Sequence, residues 1–284
     1  MPTWVRAAPD ISPDPTNINM NLSSPQIDAL AERLDDAMRQ RRPLEPLTST
    51  HPGIDIDDAY QISLRWLHRR EAAGERVIGK KIGVTSKAVQ DMLDVHQPDF
   101  GFLTDRMELA DGASASLSAL GLIQPRAEGE IAFMLDKDLQ GPGVTHQDVL
   151  DATAWVAPCF EIVDSRIRDW QIRIQDTVAD NASCGVFVVG TQRTDPAALD
   201  LAGVTMRMQR NGQPAGSGRG DAVQGHPAEA VAWLANTLGA RGIPFRAGEI
   251  ILSGSLAPLV PAQAGDRFTM EIDGLGGCSI SFAD

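Results

Sequence analysis

The chain has little of what organises many small proteins. Only three cysteines occur, Cys159, Cys184 and Cys278, and they are far apart, with no CxxC or Cys/His spacing. That argues against a disulfide framework and a thiolate zinc site, and it fits a reducing cytoplasm. No apolar run approaches the roughly 20 residues of a membrane span. The N-terminus shows no basic region followed by an apolar stretch, so no secretory signal is expected. Positive charge is also scarce, with 25 Lys and Arg against 38 Asp and Glu, a net −13 over 284 residues. Such a balance disfavours nucleic acid or an anionic membrane as partner. It leaves room for a small anionic substrate, because a metal and a few cations can dominate one pocket. There is no Walker loop, no GxGxxG and no internal repeat.

What is present reads as helices followed by strands. Residues 1–24 are rich in proline and small polar residues and read as an extended or disordered arm in which Trp4 has no required partner. Ser24-Pro25 resembles a helix start, and Ile27, Leu30, Leu34 and Met38 recur at helical spacing up to Arg42-Pro43. After a loop, a second helix is expected over 57–73, closed by Gly74, with His68, Arg69 and Arg70 on its solvated face. Residues 25–76 are thus expected to form a helical cap region, and 77–284 a β-rich catalytic domain. Val77 and Ile78 begin a strand in which Lys80 and Lys81 alternate, so at most one lysine enters a pocket. Ser86 caps a short helix through Leu93, and residues 97–101, QPDFG, read as a turn. Asn211-Gly212 marks a hairpin. Pro227 opens a helix, which gives the turn residue His226 a structural role, and three short strands close the chain. The fold class is α+β, with the strands in a rolled or barrel-like sheet.

Three carboxylates stand in or beside apolar runs: Glu128 and Glu130 in AEGEIAFML, and Glu161 in CFEIV. Strand alternation puts Glu128, Glu130, Ala132 and Met134 on one face, and Ile131, Phe133 and Leu135 on the other. Ionised carboxylates among Ile, Phe and Val are costly to bury unless a positive charge neutralises them. Hard oxygen donors without His or Cys suit Mg²⁺, Mn²⁺ or Ca²⁺. The alternative is an exposed edge pair, with Glu161 salt-bridged to Arg126, Arg166 or Arg168. The ExE spacing alone does not decide between them. Small polar residues in DNASCG, before the apolar run VFVVG, form a loop of a kind that often carries binding groups.

Several blocks taken together add what spacing cannot. GKKIGVTS, QPDFGFLTDRM, QPRAEGEIAFML, CFEIVDSRIRDW, DTVADNASCG, SGRGDAVQGHP and ILSGSLAPLVPAQAGDRF resemble the 2-hydroxypenta-2,4-dienoate (2-keto-4-pentenoate) hydratases. These form part of the hydratase/decarboxylase branch of the fumarylacetoacetate hydrolase superfamily. The resemblance spans about residues 25–284 and implies a mixed β-roll behind a helical N-terminal region, in a homo-oligomer. It places the metal ligands on Glu128, Glu130 and Glu161, with Mg²⁺ or Mn²⁺ as the working ion and Ca²⁺ as a structural substitute. The active-site lysine falls on Lys81, and Asp99, Ser183 and Ser255 fall on pocket positions. Lys81, Asp99 and Ser183 are the implied catalytic group, and Lys81, Ser183 and Ser255 the implied substrate contacts. The implied reaction adds water to a 2-hydroxy dienoic acid from the meta-cleavage of aromatic compounds, beside a pathway aldolase or decarboxylase partner. Two other readings stay open. One is a 2-oxo-3-hexenedioate (4-oxalocrotonate) decarboxylase, and the other a non-catalytic partner holding a structural cation.

Overall fold

The computed structural model describes residues 20–87, 90–91 and 94–283. Residues 1–19 of the expected arm, Trp4 among them, lie outside the described residues, as do parts of the short helix expected through Leu93.

The first helix, α1 (Ser24–Gln40), starts one residue earlier than the sequence suggests. Ser23 is its N-cap, and the Gln26 side chain accepts from the Ser23 N–H at 2.9 Å. Its face of Ile27, Leu30, Ala31 and Leu34 is buried, as the three-and-four spacing requires. The segment expected to be loop holds one helical turn, α2 (Leu47–Thr50). Next comes α3 (Ile56–Ala72), capped by Asp55, which accepts from the Asp58 N–H at 2.8 Å. Arg69 is exposed as expected, but Arg70 is buried: it pairs with Glu75 at 2.7 Å, donates to Thr104 and lies over Trp66. A long apolar stem with a satisfied guanidinium can be buried where hydropathy alone predicts exposure.

The strands form two sheets. We number them β1 (Val77–Gly83), β2 (Asp99–Thr104), β3 (Glu108–Leu109), β4 (Ala113–Ala115), β5 (Arg126–Leu135), β6 (Thr153–Val163), β7 (Cys184–Val189), β8 (Thr205–Arg210), β9 (Gln213–Arg219), β10 (Ile250–Leu252), β11 (Val260–Pro261), β12 (Arg267–Ile272) and β13 (Gly276–Phe282). The larger sheet runs β2-β1-β10-β5-β6-β7-β3, with β11 also on β5, and the smaller runs β4-β13-β12-β8-β9. Four short strands, rather than three, follow the last helix. The expected turn at residues 97–101 ends at Pro98. Asp99 to Gly101 belong to β2, which is buried throughout and paired with β1. Gly101 is needed there, because a Cβ would stand 2.5 Å from the Asn181 carbonyl. The Asn211-Gly212 hairpin forms as expected, both residues having positive φ.

Further helices are α4 (His146–Asp151), α5 (Ile174–Ala179) and α6 (Pro227–Gly239). His226 is the N-cap of α6, its Nδ1 accepting from the Ala228 N–H at 3.1 Å. One face of the larger sheet, with Ile131, Phe133, Phe160 and Ile162, joins α1, α3, α6 and the smaller sheet in a single apolar core. Each such side chain, fully buried, contributes about 1.5–3 kcal/mol. The opposite face carries a second cluster that includes Ala132, Cys159, Cys184, Phe187 and Leu252. Among the described residues no helix is long and apolar enough to cross a membrane.

Candidate metal centre

The three glutamates meet on the face of the second cluster. In the β5–β6 pairing Glu128 lies directly opposite Glu161, and Glu130 lies two residues along, opposite Cys159. Like charges directly opposite on a sheet repel. Glu130 and Glu161 are nevertheless fully buried and Glu128 half-buried. One carboxylate oxygen from each lies within 4.8 Å of the other two, the only such cluster among the described residues. The arginines that could have paired with Glu161 are engaged elsewhere. Arg166 binds Asp180 at 2.5 Å, Arg168 binds Glu45 at 2.8 Å, and Arg126 lies over Trp170.

The lysine comes from the neighbouring strands. β10 lies between β1 and β5, and it aligns Lys81 with Leu252 and Leu252 with Ala132. Lys81 therefore shares the face of the glutamates, and its Nζ stands 3.2 Å from Glu161 Oε1. Lys80 points the other way, to Glu249 at 2.5 Å and the ring of Phe245. Asp99 pairs in register with Gly83, two residues beyond Lys81. A Cβ on Gly83 would fall 2.3 Å from Asp99 Oδ1 and 3.3 Å from Lys81 Nζ, so the glycine leaves the space in which both groups sit.

Charge and hydrogen bonding show what the trio lacks. Both oxygens of Glu161 and Oε1 of Glu130 are buried without a hydrogen bond, while Glu130 Oε2 accepts from the Gly254 N–H at 2.8 Å. Burial, and then the Glu161 charge, push Glu128 up to about 8 and Glu130 well above the carboxylate range. Burial opposes the Lys81 ammonium, but Glu161 and Asp99 outweigh it and hold its pKa above the ordinary lysine value. Burial raises Asp99 to about 6 against the pull of Lys81. One ammonium cannot balance this much buried negative charge. Orphaned hard oxygens converging on one point fit a divalent cation, and the donor set fits Mg²⁺ or Ca²⁺ chemistry.

A sign follows for stability. Without a cation, the folded chain holds protons on Glu128 that the unfolded chain, with an ordinary carboxylate near 4.5, has released. The metal-free protein is expected to lose stability as pH rises from that range to about 8. A divalent ion removes the slope by occupying the deprotonated site. Urea denaturation across this pH range, with EDTA and with Mg²⁺, measures both.

The loop serines are placed differently. Ser183 ends a buried turn, Asn181–Ser183, whose three residues all have positive φ. Its hydroxyl pairs with that of Thr177 at 3.1 Å. The turn is held by Arg166, which donates to the Asp180 and Cys184 carbonyls, and by Asn181, which bonds Phe102 of β2 twice. The Ser255 hydroxyl donates to the Ala257 carbonyl at 2.6 Å. Neither hydroxyl is hydrogen-bonded to the glutamates. Sequence reading missed Tyr60, the only tyrosine, which stacks on Phe100 and borders a pocket with Asp99. It also missed the Gly254 amide, a backbone donor with no side-chain signal.

Comparison with known proteins places the chain in a family. Residues 80–282 match the family described as fumarylacetoacetate (FAA) hydrolase C-terminal. The chain is 74% identical over 258 residues to a 2-hydroxyhexa-2,4-dienoate hydratase of Comamonas testosteroni, covering 91% of this chain and 98% of that one. It is 62% identical over 217 residues to a 2-hydroxypent-2,4-dienoate hydratase of Pseudomonas putida, covering 76% and 97%. Among solved structures it is similar to the 4-oxalocrotonate decarboxylase from Pseudomonas putida G7 in complex with magnesium and adipate. That match has a TM-score of 0.90 and 35% identity, over 93% of this chain and 100% of that one. The same decarboxylase has also been solved with calcium and acetate. The chain belongs to the fumarylacetoacetate hydrolase superfamily and, within it, to the family of the 2-keto-4-pentenoate hydratases.

Proposed function

We propose that this protein is a lyase that adds water to 2-hydroxypenta-2,4-dienoate or a close homologue, giving the 4-hydroxy-2-oxo acid, in the meta-cleavage degradation of aromatic compounds. The observation that carries this reading is the converging trio of Glu128, Glu130 and Glu161, the last two fully buried with orphaned oxygens, and Glu161 beside the Lys81 ammonium. Identity of 74% and 62% to two named dienoate hydratases supports it.

The three glutamates would hold Mg²⁺ or Mn²⁺, which when bound supplies Lewis acidity toward the substrate's C1 carboxylate and C2 oxygen. The chain's own groups do the rest. Lys81, a buried cation, anchors the carboxylate of the incoming acid and holds it against the sheet. The dienol gives up its 2-hydroxyl proton and takes one at C5, becoming an α,β-unsaturated ketone. Water then adds at C4, and the enolate across C2 and C3 is protonated at C3, a net gain of one water. Asp99, beside Lys81 and on the border of the pocket, takes the proton of the adding water. Ser183 and Ser255, on the loops carrying Cys184 and Gly254, are proposed as further substrate contacts.

The test follows dienol absorbance and identifies the product. Loss of the pentadienoate signal with added Mg²⁺ or Mn²⁺, abolished by EDTA and yielding the hydroxy-oxo acid without CO₂, is the expected result. Release of CO₂ from a hexenedioate, with no hydration of the pentadienoate, assigns the chain to the decarboxylases instead.

A further inference from the structure

A pocket of about 280 Å³ opens beside Asp99, between α3, α5 and the segment that leads into β2. Its apolar walls are Ile56 and Tyr60 from α3, Val95 and Pro98 from the leading segment, and Ile174 from α5, and Gln97 adds a neutral amide. Asp99 is the one carboxylate that lines it, and Tyr60 and His96 are its other titratable side chains. Among the described residues no lysine or arginine lines it. The Arg241 guanidinium lies 5.1 Å from the Tyr60 ring centre, but it is paired with Asp57 at 3.3 Å.

We propose that this pocket receives the far end of the substrate and selects dienoates with a short uncharged alkyl tail over those ending in a second carboxylate. The inference rests on the reading of the glutamate trio as the anchor for the oxo-acid end. With C1 and C2 held at the trio and Lys81, an extended chain passes Asp99 near C4. Carbons beyond C5 then enter the space between Ile56, Val95 and Ile174. An added methylene there gains burial among apolar walls, worth about four- to tenfold in affinity. A terminal carboxylate meets the opposite situation. It loses its hydration among apolar side chains, finds no lining lysine or arginine among the described residues, and lies near the like charge of Asp99.

Binding tests this independently of turnover. Straight-chain 2-oxo acids of five to eight carbons are titrated calorimetrically into the Mn²⁺-loaded protein. Affinity is expected to rise about fourfold per added carbon until the pocket is full. A 2-oxo dioic acid is expected to bind at least tenfold more weakly than the monoacid of equal length. Ile174→Phe and, as a second variant in case the first does not fold, Ile56→Phe are expected to flatten the series to less than twofold overall. A flat series in the unmodified protein, an unchanged slope in both variants, or a dioic acid that binds as well as the monoacid overturns the proposal. Turnover separates this from the underlying reading. A rising series without hydration of any 2-hydroxy-2,4-dienoate leaves the tail pocket standing and removes the hydratase.

Discussion

Glu161→Gln is expected to lower kcat/KM for dienoate hydration by about 10³-fold, equivalent to about 4 kcal/mol of transition-state stabilisation. Glu161 lies at the middle of the site. It is opposite Glu128 on the neighbouring strand, has a carboxylate oxygen within 4.8 Å of one from each of the other glutamates, and lies 3.2 Å from Lys81. Glutamine keeps the side chain's length and removes one negative charge from a cluster strained first by burial and then by mutual repulsion. It also leaves the buried Lys81 ammonium with Asp99 as its remaining strong partner, so the metal-free variant is expected to fold but to melt no higher than the parent. A site assembled for stability alone would change activity only through loss of folded protein. Here the expected pattern is the reverse: intact folding, weaker binding of Mn²⁺, and lost turnover. Single-substrate kinetics at saturating Mn²⁺, beside a thermal melt with EDTA, distinguishes the two.

Lys81→Met is expected to lower kcat by about 10²- to 10³-fold. Both members of the Lys81–Glu161 pair are buried, at 3% and 0% side-chain exposure. Removing one partner of such a pair leaves the other charge uncompensated, at a cost of about 3–5 kcal/mol. Bound Mn²⁺ supplies the missing positive charge to Glu161, so it is expected to restore most of the variant's thermal stability. It cannot replace an ammonium that anchors substrate, so turnover stays low. If saturating Mn²⁺ restores both stability and turnover, Lys81 is only a charge partner for the glutamates.

Much of this site could be read in the sequence, for a simple reason. A period of two is a local property of a strand, so the shared face of Glu128, Glu130, Ala132 and Met134 follows from their numbering. The same alternation separates Lys80 from Lys81. Register between strands is not local. Nothing in the text of AEGEIAFML or CFEIV states that Glu128 falls opposite Glu161, or that β10 slips between β1 and β5 to bring Lys81 alongside. Family resemblance supplied that convergence. Local punctuation also misled where tertiary packing prevailed. QPDFG carries Pro and Gly, the usual marks of a turn, yet Asp99 and Gly101 lie in a buried strand. Arg70 and Arg166 look like surface residues, yet both are buried because specific oxygens receive their guanidinium groups. Tyr60 gave no periodic signal of its own, since its importance lies in what a distant loop sets beside it.

The central claim is that the buried trio holds one divalent ion, and calorimetric titration of the EDTA-treated protein with Mn²⁺ tests it most directly. The account predicts one ion per chain, proton release on binding, affinity that weakens as pH falls below about 8, and a large loss of affinity in Glu161→Gln. Absence of binding in the unmodified protein, or equal affinity in the variant, would contradict it.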